Sequence, residues 1–320
     1  MKRRVRVGVI GAGHMGRNHV RIYDLLRDAE IAGVADPDPR ARDEVAAAYG
    51  VATFADHHAL LKVVDAVSVA VPTALHRAVA LDCLAAGKHV LIEKPIAATS
   101  EDAEAIVTEA GRRGLVLQVG HVERFNPAVA ELGRIVASER LLVIGAQRLS
   151  PPTPRIADID VVFDLMIHDI DIVLALAGAP IVSLGAIGRP APPALLDHVS
   201  AQGRTENGIL VRLEASKITH QPVRRLEVTT DRSYVTVNYM NRELTVYRRG
   251  SVLSSDPSGG ETYVQEASVA RPHVATVEPL RLELEHFLAR IGDGREPLTS
   301  GQQALEALRV AERIQRAATA

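Results

Sequence analysis

The sequence VRVGVIGAGHMG occupies residues 5–16 and joins an apolar strand pattern to a glycine motif. Gly11, Gly13 and Gly16 form G-x-G-x-x-G, and a helical pattern follows over residues 15–26. In this arrangement the first glycine permits a tight turn, the second lets a pyrophosphate approach the backbone, and the third lets the helix pack closely on the strand. A plain glycine-rich turn is the alternative, but the flanking strand and helix favour a phosphate-binding loop.

The residues around this loop indicate which dinucleotide it binds. His14 and Met15 lie in the first helical turn, where backbone amides and the helix dipole attract phosphates. Asp36 ends the next strand pattern, where an acid hydrogen-bonds the ribose hydroxyls and repels a 2′-phosphate. Arg40 is near enough to weaken that preference, and the alternative role of Asp36 is a turn or cap residue before Pro37. The pattern predicts NAD as the cofactor.

Strand and helix patterns alternate through the first part of the chain. The predicted strands cover residues 5–10, 30–36, 65–72, 89–93 and 115–121, and the predicted helices cover 15–26, 39–50, 74–88 and 100–114. This rhythm is typical of a parallel sheet wound on both sides. We therefore predict an α/β fold with an N-terminal, doubly wound Rossmann domain that binds NAD at residues 1–121.

The second part of the chain has a different pattern. Between residues 197 and 249 the strand patterns RLEVTT, SYVTVNYM and ELTVYRR follow one another with short turns, as in an antiparallel meander. Residues 252–275 are predicted to be rich in loops. One apolar helix face then follows, formed by Leu280, Leu284, Phe287, Leu288 and Ile291. We predict a C-terminal α+β domain at residues 122–320, with an open, mainly antiparallel sheet. Its last helices can pack back on the first domain.

Composition argues against several classes of protein. The chain has 320 residues, is 47% hydrophobic and carries a net charge of −2, which disfavours a nucleic-acid-binding surface. Aromatic residues make up 3% and tryptophan is absent, so stacking platforms for single strands are not expected. The single cysteine, Cys83, permits no internal disulfide, and glycines interrupt the apolar runs that a signal peptide or a membrane span needs. We expect a cytoplasmic protein without nucleic-acid or membrane partners.

Two predicted strands end in sequences suited to a ligand crevice. In a doubly wound sheet ligands bind at the carboxyl ends of the strands, and residues 71–73 and 93–95 both follow such ends. Pro95 restricts the backbone of Lys94 to extended conformations. A lysine aimed into the crevice can hold a reacting hydroxyl and stabilise the charge that develops on it. The predicted cofactor residues at these ends are Val71, Pro72, Thr73, His76, Glu93 and Lys94.

The stretch DIDVVFDLMIHDIDIVLALAG, residues 158–178, contains a second set of reactive side chains. Asp160, Asp164, His168 and Asp171 are spaced by four, four and three, so a helix places them on one face. Asp164 can orient the ring of His168, which can accept a proton at neutral pH. An exposed helix with a chance acidic stripe is one alternative. A metal site of Asp164, His168 and Asp171 is another, disfavoured by the lack of thiol or clustered histidine ligands, and we predict no metal.

With these residues the chain resembles the glucose–fructose oxidoreductase/inositol dehydrogenase family (Gfo/Idh/MocA). The resemblance covers nearly the whole chain and rests on GVIGAGHMGRNH (8–19), AVPTALHRAVALDCLAAGKHVLIEKPIA (70–97), the pair Asp164 and His168, and EPLRLELEHFL (278–288). It implies that Lys94, Asp164 and His168 line the nicotinamide and the reacting carbinol, with His168 as the proton acceptor. It also implies that the open sheet makes oligomer contacts, in a homodimer or homotetramer.

Two stretches narrow the resemblance to one branch of the family. GHVERFNPAV (120–129) and IHDIDIVL (167–174) are similar to the branch that oxidises the 3-hydroxyl of UDP-N-acetylglucosamine. The expected substrate contacts are Arg124, Asn126, Arg148 and His168. The cations available for a diphosphate are Arg124, Arg148, Arg155 and Lys217, each of which is alternatively a surface charge. Two other functions stay open: a dehydrogenase of a free polyol or sugar such as myo-inositol, and a non-catalytic NAD-binding sensor on the same fold.

Overall fold

The computed structural model describes residues 4–152, 160–191, 195–255 and 261–319. Contacts group the described chain into two units. The first unit comprises Met1–Phe125 and Val277–Arg309, and the second unit comprises Asn126–Thr276 and Val310–Ala320.

The described residues form strands and α-helices, each type numbered in chain order. The strands are β1 (Val5–Ile10), β2 (Ala29–Ala35), β3 (Thr53–Phe54), β4 (Ala66–Val69), β5 (His89–Ile92), β6 (Leu117–Val119), β7 (Leu141–Leu149), β8 (Ile181–Ala191), β9 (Leu195–Thr205), β10 (Leu210–Ser216), β11 (Val223–Thr230), β12 (Ser233–Asn238), β13 (Glu243–Ser255) and β14 (Glu261–Ala270). The α-helices are α1 (His14–Leu25), α2 (Pro39–Tyr49), α3 (His57–Leu61), α4 (His76–Ala85), α5 (Ser100–Arg113), α6 (Pro127–Val136), α7 (Ile167–Ala177), α8 (Pro279–Asp293) and α9 (Gly301–Thr319). Within the described ranges, none of these helices combines the length and apolar character that crossing a membrane requires.

The sheet of the first unit is parallel. Among the described residues it has six strands in the order β3-β2-β1-β4-β5-β6. Because the strand order changes direction at β1, right-handed crossovers place helices on both faces, and the crevice for ligands lies where β1 meets β4. This confirms the predicted doubly wound fold. The short β3 and α3 were not predicted, because neither is long enough to show a periodic pattern.

Local sequence explains where the helices of this unit begin and end. Asp38 caps α2 and Thr99 caps α5, each accepting a hydrogen bond from an amide of the first helical turn. Gly50 ends α2 with φ of 63°, and Gly114 ends α5 with φ of 64°. A left-handed residue at this position suits glycine because it lacks a Cβ. The predicted ends of these two helices at Gly50 and Gly114 are therefore confirmed.

The core of the first unit includes a helix from late in the sequence. α8 brings the fully buried Leu284 and Phe287 into one apolar cluster with Val9, Val20 and Tyr23. Each such side chain contributes roughly 1.5–3 kcal/mol by leaving water. The predicted apolar face of this helix lies in or against the same cluster, through Leu280, Leu284, Phe287, Leu288 and Ile291.

The sheet of the second unit is mainly antiparallel. The part of the chain that the structure describes gives it eight strands, in the order β14-β13-β12-β11-β7-β10-β9-β8. Every described pair is antiparallel except β7 with β10, which are parallel. The predicted meander is confirmed as β11, β12 and β13, and the predicted open sheet is confirmed with it.

Side chains alternate between the two faces of this sheet. Leu226 and Val228 of β11 and Val235 and Val237 of β12 are all fully buried. Helix α6 contacts β12 and β13, while α7 contacts β7 and β10, so the helices cover the apolar face. Charged residues such as Arg225 occupy the intervening positions on the opposite face, as the two-residue period of a strand requires.

The prediction that residues 252–275 are rich in loops is wrong for residues 252–255 and 261–270, whereas residues 271–275 form neither helix nor strand, as predicted. Strand β13 runs on to Ser255, and β14 pairs with it antiparallel from Glu261 to Ala270. The sequences RRGSVLSS and ETYVQEASVA contain many small and polar residues, which do not separate strand from loop by pattern. Main-chain pairing at the edge of the sheet makes them strands. Residues 256–260 of the predicted loop lie outside the described residues.

Candidate functional site

The glycine loop between β1 and α1 has the geometry of a phosphate cradle. Gly11 has φ of 97°, and a Cβ there would lie 2.5 Å from the carbonyl oxygen of Ala70. A Cβ at Gly16 would lie 1.8 Å from the carbonyl oxygen of Gly11, so only glycine lets the helix start this close. At Gly13 a Cβ would meet no atom within 4 Å in the described chain, so this backbone is open to a ligand. The first-turn amides of α1 have no intrahelical acceptor, which suits a pyrophosphate.

The carboxylate of Asp36 connects the end of β2 to this loop. Its Oδ2 accepts a 2.7 Å hydrogen bond from the amide of Ala12, and its Oδ1 accepts a 2.9 Å hydrogen bond from the amide of Asp38. Asp36 therefore acts as the turn residue that was the alternative reading of the sequence. A carboxylate has about four lone-pair sites, so two remain for ribose hydroxyls. The residues present fit a dinucleotide at this edge.

His76 joins the two strand ends that the sequence singled out. Its Nδ1 lies 2.9 Å from the carbonyl oxygen of Pro95, and its Nε2 lies 3.0 Å from that of Val71. Burial lowers the pKa of His76, and the two carbonyls oppose this only partly. The side chain is buried, and a neutral imidazole carries one N–H, so the ring donates to one of the two carbonyls while it lies against the loops after β4 and β5.

Glu93 has a similar internal role beside Lys94. Its Oε1 lies 2.9 Å from Nε2 of the fully buried His19 on α1. Burial opposes ionisation of Glu93, but the hydrogen bond and charge of His19, together with Lys94, hold the pKa of this carboxyl below its usual range. Lys94 itself is half-buried, and the bond between Lys94 and Pro95 is cis. The acid anchors the strand end from which the lysine projects.

In the second unit, Asp164 and His168 lie where the helix geometry changes. Val162–Met166 forms a π-helical turn that continues into α7. Such turns are rare and frequently occur at functional sites. Asp164 lies within this turn, with its Oδ2 3.2 Å from Nζ of Lys217, and both side chains are mostly buried. Lys217, considered from the sequence as a diphosphate ligand, is thus an ion-pair partner of Asp164.

Two acids of the predicted stripe of four reactive side chains are withdrawn from water. Asp160 precedes the helix and caps it, because its Oδ1 accepts a 2.9 Å hydrogen bond from the amide of Val162. Asp160 and Asp171 are 5% and 2% exposed. The alternative of a solvated acidic stripe is therefore wrong for both. Oδ2 of Asp160 also accepts hydrogen bonds from the amide of Leu196 at 3.3 Å and from Nε2 of Gln315 at 3.2 Å, so this carboxylate is engaged within the protein.

The assignment of Arg148 as a substrate contact needs correction. Its Nε donates to Oδ2 of Asp169 at 3.0 Å and its Nη2 to Oδ1 at 2.8 Å. Both side chains are 2% exposed, and the Arg148 guanidinium also lies 5.2 Å from the ring centroid of Tyr239. A guanidinium held in this way is a structural cation rather than a ligand for diphosphate.

The other predicted substrate residues have mixed environments. Asn126 is buried, and its Oδ1 accepts a 3.1 Å hydrogen bond from the amide of Ala128 at the start of α6. Arg124 is half-buried and donates to the carbonyl oxygen of Leu298 at 3.2 Å. Arg155 lies outside the described residues. Arg124 and Asn126 stay predictions as substrate contacts.

Sequence reasoning missed two partners of these residues, His19 and Asp169. One signal was available for Asp169, which lies between the apolar Ile167 and Ile170 on a helix. A buried acid requires a cation or hydrogen-bond donors, so its position called for a partner such as Arg148. No comparable pattern marks His19, whose partner is 74 residues away.

Comparisons with known proteins agree with this arrangement. A family model described as "Oxidoreductase family, NAD-binding Rossmann fold" matches residues 5–121, and one described as "GFO/IDH/MocA C-terminal domain" matches residues 150–236. UDP-N-acetylglucosamine 3-dehydrogenase from Acidithiobacillus ferrooxidans is 37% identical over 297 residues, which is 93% of this chain and 92% of the relative. A solved structure of that enzyme, GnnA, has a TM-score of 0.90 at 36% identity, covering 98% of this chain and 97% of GnnA.

An inositol 2-dehydrogenase from Saccharopolyspora erythraea is also similar, with 36% identity over 223 residues, or 66% of each chain. The identity to GnnA over most of both chains and the two matched domains lead to one conclusion. This chain belongs to the Gfo/Idh/MocA family of oxidoreductases and carries the NAD-binding Rossmann domain of that family.

Proposed function

We propose that this protein uses NAD to oxidise a secondary sugar hydroxyl to a ketone, at C3 of UDP-N-acetylglucosamine. The observation that carries the proposal is the 37% identity over 93% of the chain to an enzyme named for that reaction. The match to inositol 2-dehydrogenase extends over only 66% of the chain. Similarity that includes nearly all residues bears more strongly on the substrate than similarity over two thirds of them.

The reaction requires a proton acceptor, a group that holds the oxygen and a hydride acceptor. We assign proton acceptance to His168, whose imidazole is suited to this at neutral pH. Lys94 holds the hydroxyl oxygen and stabilises the negative charge that develops as the proton leaves. Asp164 orients the ring of His168. Bound NAD supplies the hydride acceptor.

Residues at the carboxyl edge of the first sheet would hold the cofactor. The set proposed to contact it directly is Gly11, Gly13, His14, Met15, Gly16, Asp36, Val71, Pro72, Thr73 and Lys94. The sequence predicts His76 and Glu93 as further direct contacts. Because their side chains are buried and hydrogen-bonded within the protein, we assign them to the support of this set instead. Asp36 favours NAD over NADP because its charge repels a 2′-phosphate.

We also propose that cofactor binding and substrate binding are carried by different parts of the chain, with the boundary near residue 121. Residues 1–121 carry NAD binding and residues 122–320 carry substrate binding and oligomer contacts, except that α8 packs back into the core of the first unit. A homodimer or homotetramer joined through the open sheet is supported by large apolar side chains that its strands expose, which are Val182, Ile187, Leu210, Tyr247 and Val269. Sedimentation velocity of the purified chain measures this state. We place the enzyme in the cytoplasm, with a small-molecule substrate.

The substrate proposal is tested with UDP-N-acetylglucosamine that carries deuterium at C3. The expected result is a product lighter by the deuterium and one hydrogen, with the label recovered in the reduced cofactor. Because alcohol oxidation by NAD has an unfavourable equilibrium, a parallel sample should contain an aminotransferase and an amino donor that convert the 3-keto sugar to an amine, and in that sample the label is measured in the cofactor. Product without label in the cofactor would place the oxidation at another carbon.

Parallel incubations separate the alternatives. Turnover of free myo-inositol with none of the UDP-sugar would replace our proposal by a polyol dehydrogenase, which the inositol 2-dehydrogenase similarity makes the second candidate. Binding of NAD without turnover of any sugar would indicate a sensor.

A further inference from the structure

We propose that Lys217 and Arg148 form a cationic clamp that positions His168, with Lys217 acting through Asp164 and Arg148 through Asp169. This inference rests on the proposed role of His168 as proton acceptor. It assigns positioning roles to two cations that the sequence suggested as ligands for the substrate.

The two cations come from neighbouring strand ends. β7 and β10 run parallel, and Arg148 of β7 is in register with Ala215 of β10. Lys217 follows β10 directly, and its amide donates to the carbonyl oxygen of Asp197 at 2.8 Å. Parallel neighbouring strands end at the same edge of a sheet, so Arg148 and Lys217 can both reach the helical segment that contains His168.

The two acids lie on either side of His168 in the sequence. Asp164 precedes it by four residues, about one helical turn, and Asp169 follows it directly. Lys217 Nζ lies 3.2 Å from Asp164 Oδ2, and Arg148 makes its two-pronged contact to Asp169. The clamp therefore fixes the π-helical turn and the first turn of α7 at two points around the histidine.

The two halves of the clamp differ in burial, and this predicts different roles. The Arg148–Asp169 pair is 2% exposed on both sides and is isolated from water. In the Lys217–Asp164 pair the side chains are 15% and 13% exposed, so this pair lies closer to solvent. A carboxylate rotates easily about its terminal bond, and an ammonium on one oxygen restricts that rotation. Lys217 thus sets the direction of Asp164, and Asp164 sets the ring of His168.

Substitution of Lys217 tests the clamp. Lys217→Met removes the charge at similar length, and kcat is expected to fall about tenfold to hundredfold, as small misplacements of catalytic groups do, with little change in KM for the sugar. Lys217→Arg keeps a cation and should restore most of the loss. In an Asp164→Asn background, Lys217→Met should have little further effect. Arg212→Met is the matched control, because it removes an exposed cation from the same strand, β10.

A second readout does not depend on the substrate. With histidine labelled by ¹⁵N, the ring signals of His168 are identified by their loss in His168→Gln. A single ring tautomer is expected in the unmodified protein, and a mixture in Lys217→Met but not in Arg212→Met.

The outcomes separate the clamp from the proposed reaction. A changed tautomer without turnover of any UDP-sugar would leave the clamp standing and remove the proposed substrate. Unchanged ring signals would refute the clamp even in an active enzyme. A raised KM with kcat intact would also refute it, and would make Lys217 a ligand of the diphosphate.

Discussion

Each unit anchors the neighbour of its proposed reacting residue through a buried carboxylate, but the partners of the two carboxylates differ. In the first unit His19 holds Glu93, the neighbour of Lys94. In the second unit Arg148 holds Asp169, the neighbour of His168. The first anchor is a single contact between an imidazole and a carboxylate, whereas the second is a guanidinium joined to its carboxylate by two hydrogen bonds. A two-pronged pair fixes the geometry of the carboxylate more tightly than a single contact does.

Two histidines of the first unit accept hydrogen bonds from backbone amides. His89 Nδ1 accepts a 3.0 Å hydrogen bond from the amide of Val116, and His286 Nε2 accepts a 2.9 Å hydrogen bond from the amide of Leu298. Burial lowers the pKa of both rings. Protonation would destroy the acceptor in each case, so low pH acts against the first unit at several points.

The largest expected effect tests whether both units supply a reacting group. His168→Ala and Lys94→Ala should each lower kcat by roughly a hundredfold to ten-thousandfold, the usual contribution of a general acid or base. NAD binding, followed by quenching of protein or NADH fluorescence, should survive in both. The exposed His220→Ala and Lys62→Ala are controls in the same two units. Near-normal turnover in either active-site variant would remove that residue from the reaction.

The next effect concerns the buried pair of Arg148 and Asp169 in the second unit. Arg148→Met leaves the buried Asp169 without its cation, so the free energy of unfolding should fall by about 3–5 kcal/mol in urea titrations. Arg148→Met combined with Asp169→Leu should recover much of this loss, because no buried charge remains. The exposed pair of Arg212 and Glu227 should contribute no more than about 1 kcal/mol, measured with Arg212→Met. Similar losses for Arg148→Met and Arg212→Met would show that burial does not distinguish these anchors.

A smaller effect is confined to the first unit. Asp36→Asn removes the charge that repels a 2′-phosphate and weakens the hydrogen bonds to ribose. The ratio of kcat/KM for NAD to that for NADP should fall by about 10-fold to 100-fold, which corresponds to a hydrogen bond to a charged group of about 1.5–3 kcal/mol. Lys217→Met in the second unit should leave this ratio unchanged. Equal or better efficiency of the unmodified enzyme with NADP would contradict the assigned preference.

The smallest effect follows from the lowered histidine pKa values. Between the ordinary pKa of 6.5 and the lowered pKa of His286, the unfolded chain binds more protons than the folded chain. Stability therefore rises with pH in that window: the contribution is complete above 6.5 and is lost as pH falls through the lowered pKa. The lowered pKa of Glu93 also makes stability rise with pH, in a window below the ordinary glutamate pKa of 4.5.

The midpoints of urea unfolding, measured from pH 8 to pH 5, report this dependence of stability on pH. His286→Gln retains an acceptor for Leu298 without titrating, so its midpoints should fall less steeply over this range. A slope as steep as that of the unmodified protein would assign the pH dependence to other groups.

Predictions from the sequence held where local pattern carries the information. The glycine loop, the two helices ended by Gly50 and Gly114, and the apolar face of α8 all depend on residues within a few turns of one another. They failed at Arg148, predicted as a substrate contact, because its partner Asp169 is 21 residues away and comes from another element. They failed also at Asp160, because its carboxylate caps the following helix and accepts hydrogen bonds from Leu196 and Gln315, which are distant in the sequence.

The sequence by itself determined the doubly wound domain, the membership of both domains in one oxidoreductase family and the identities of the candidate reacting residues, because backbone preferences and short motifs act over neighbouring positions. The tertiary structure alone decided which charges are paired. His19 with Glu93, Arg148 with Asp169 and Lys217 with Asp164 are separated by 74, 21 and 53 residues. Electrostatic partners are chosen by distance in space and by burial, and neither quantity is written in the spacing of residues along the chain.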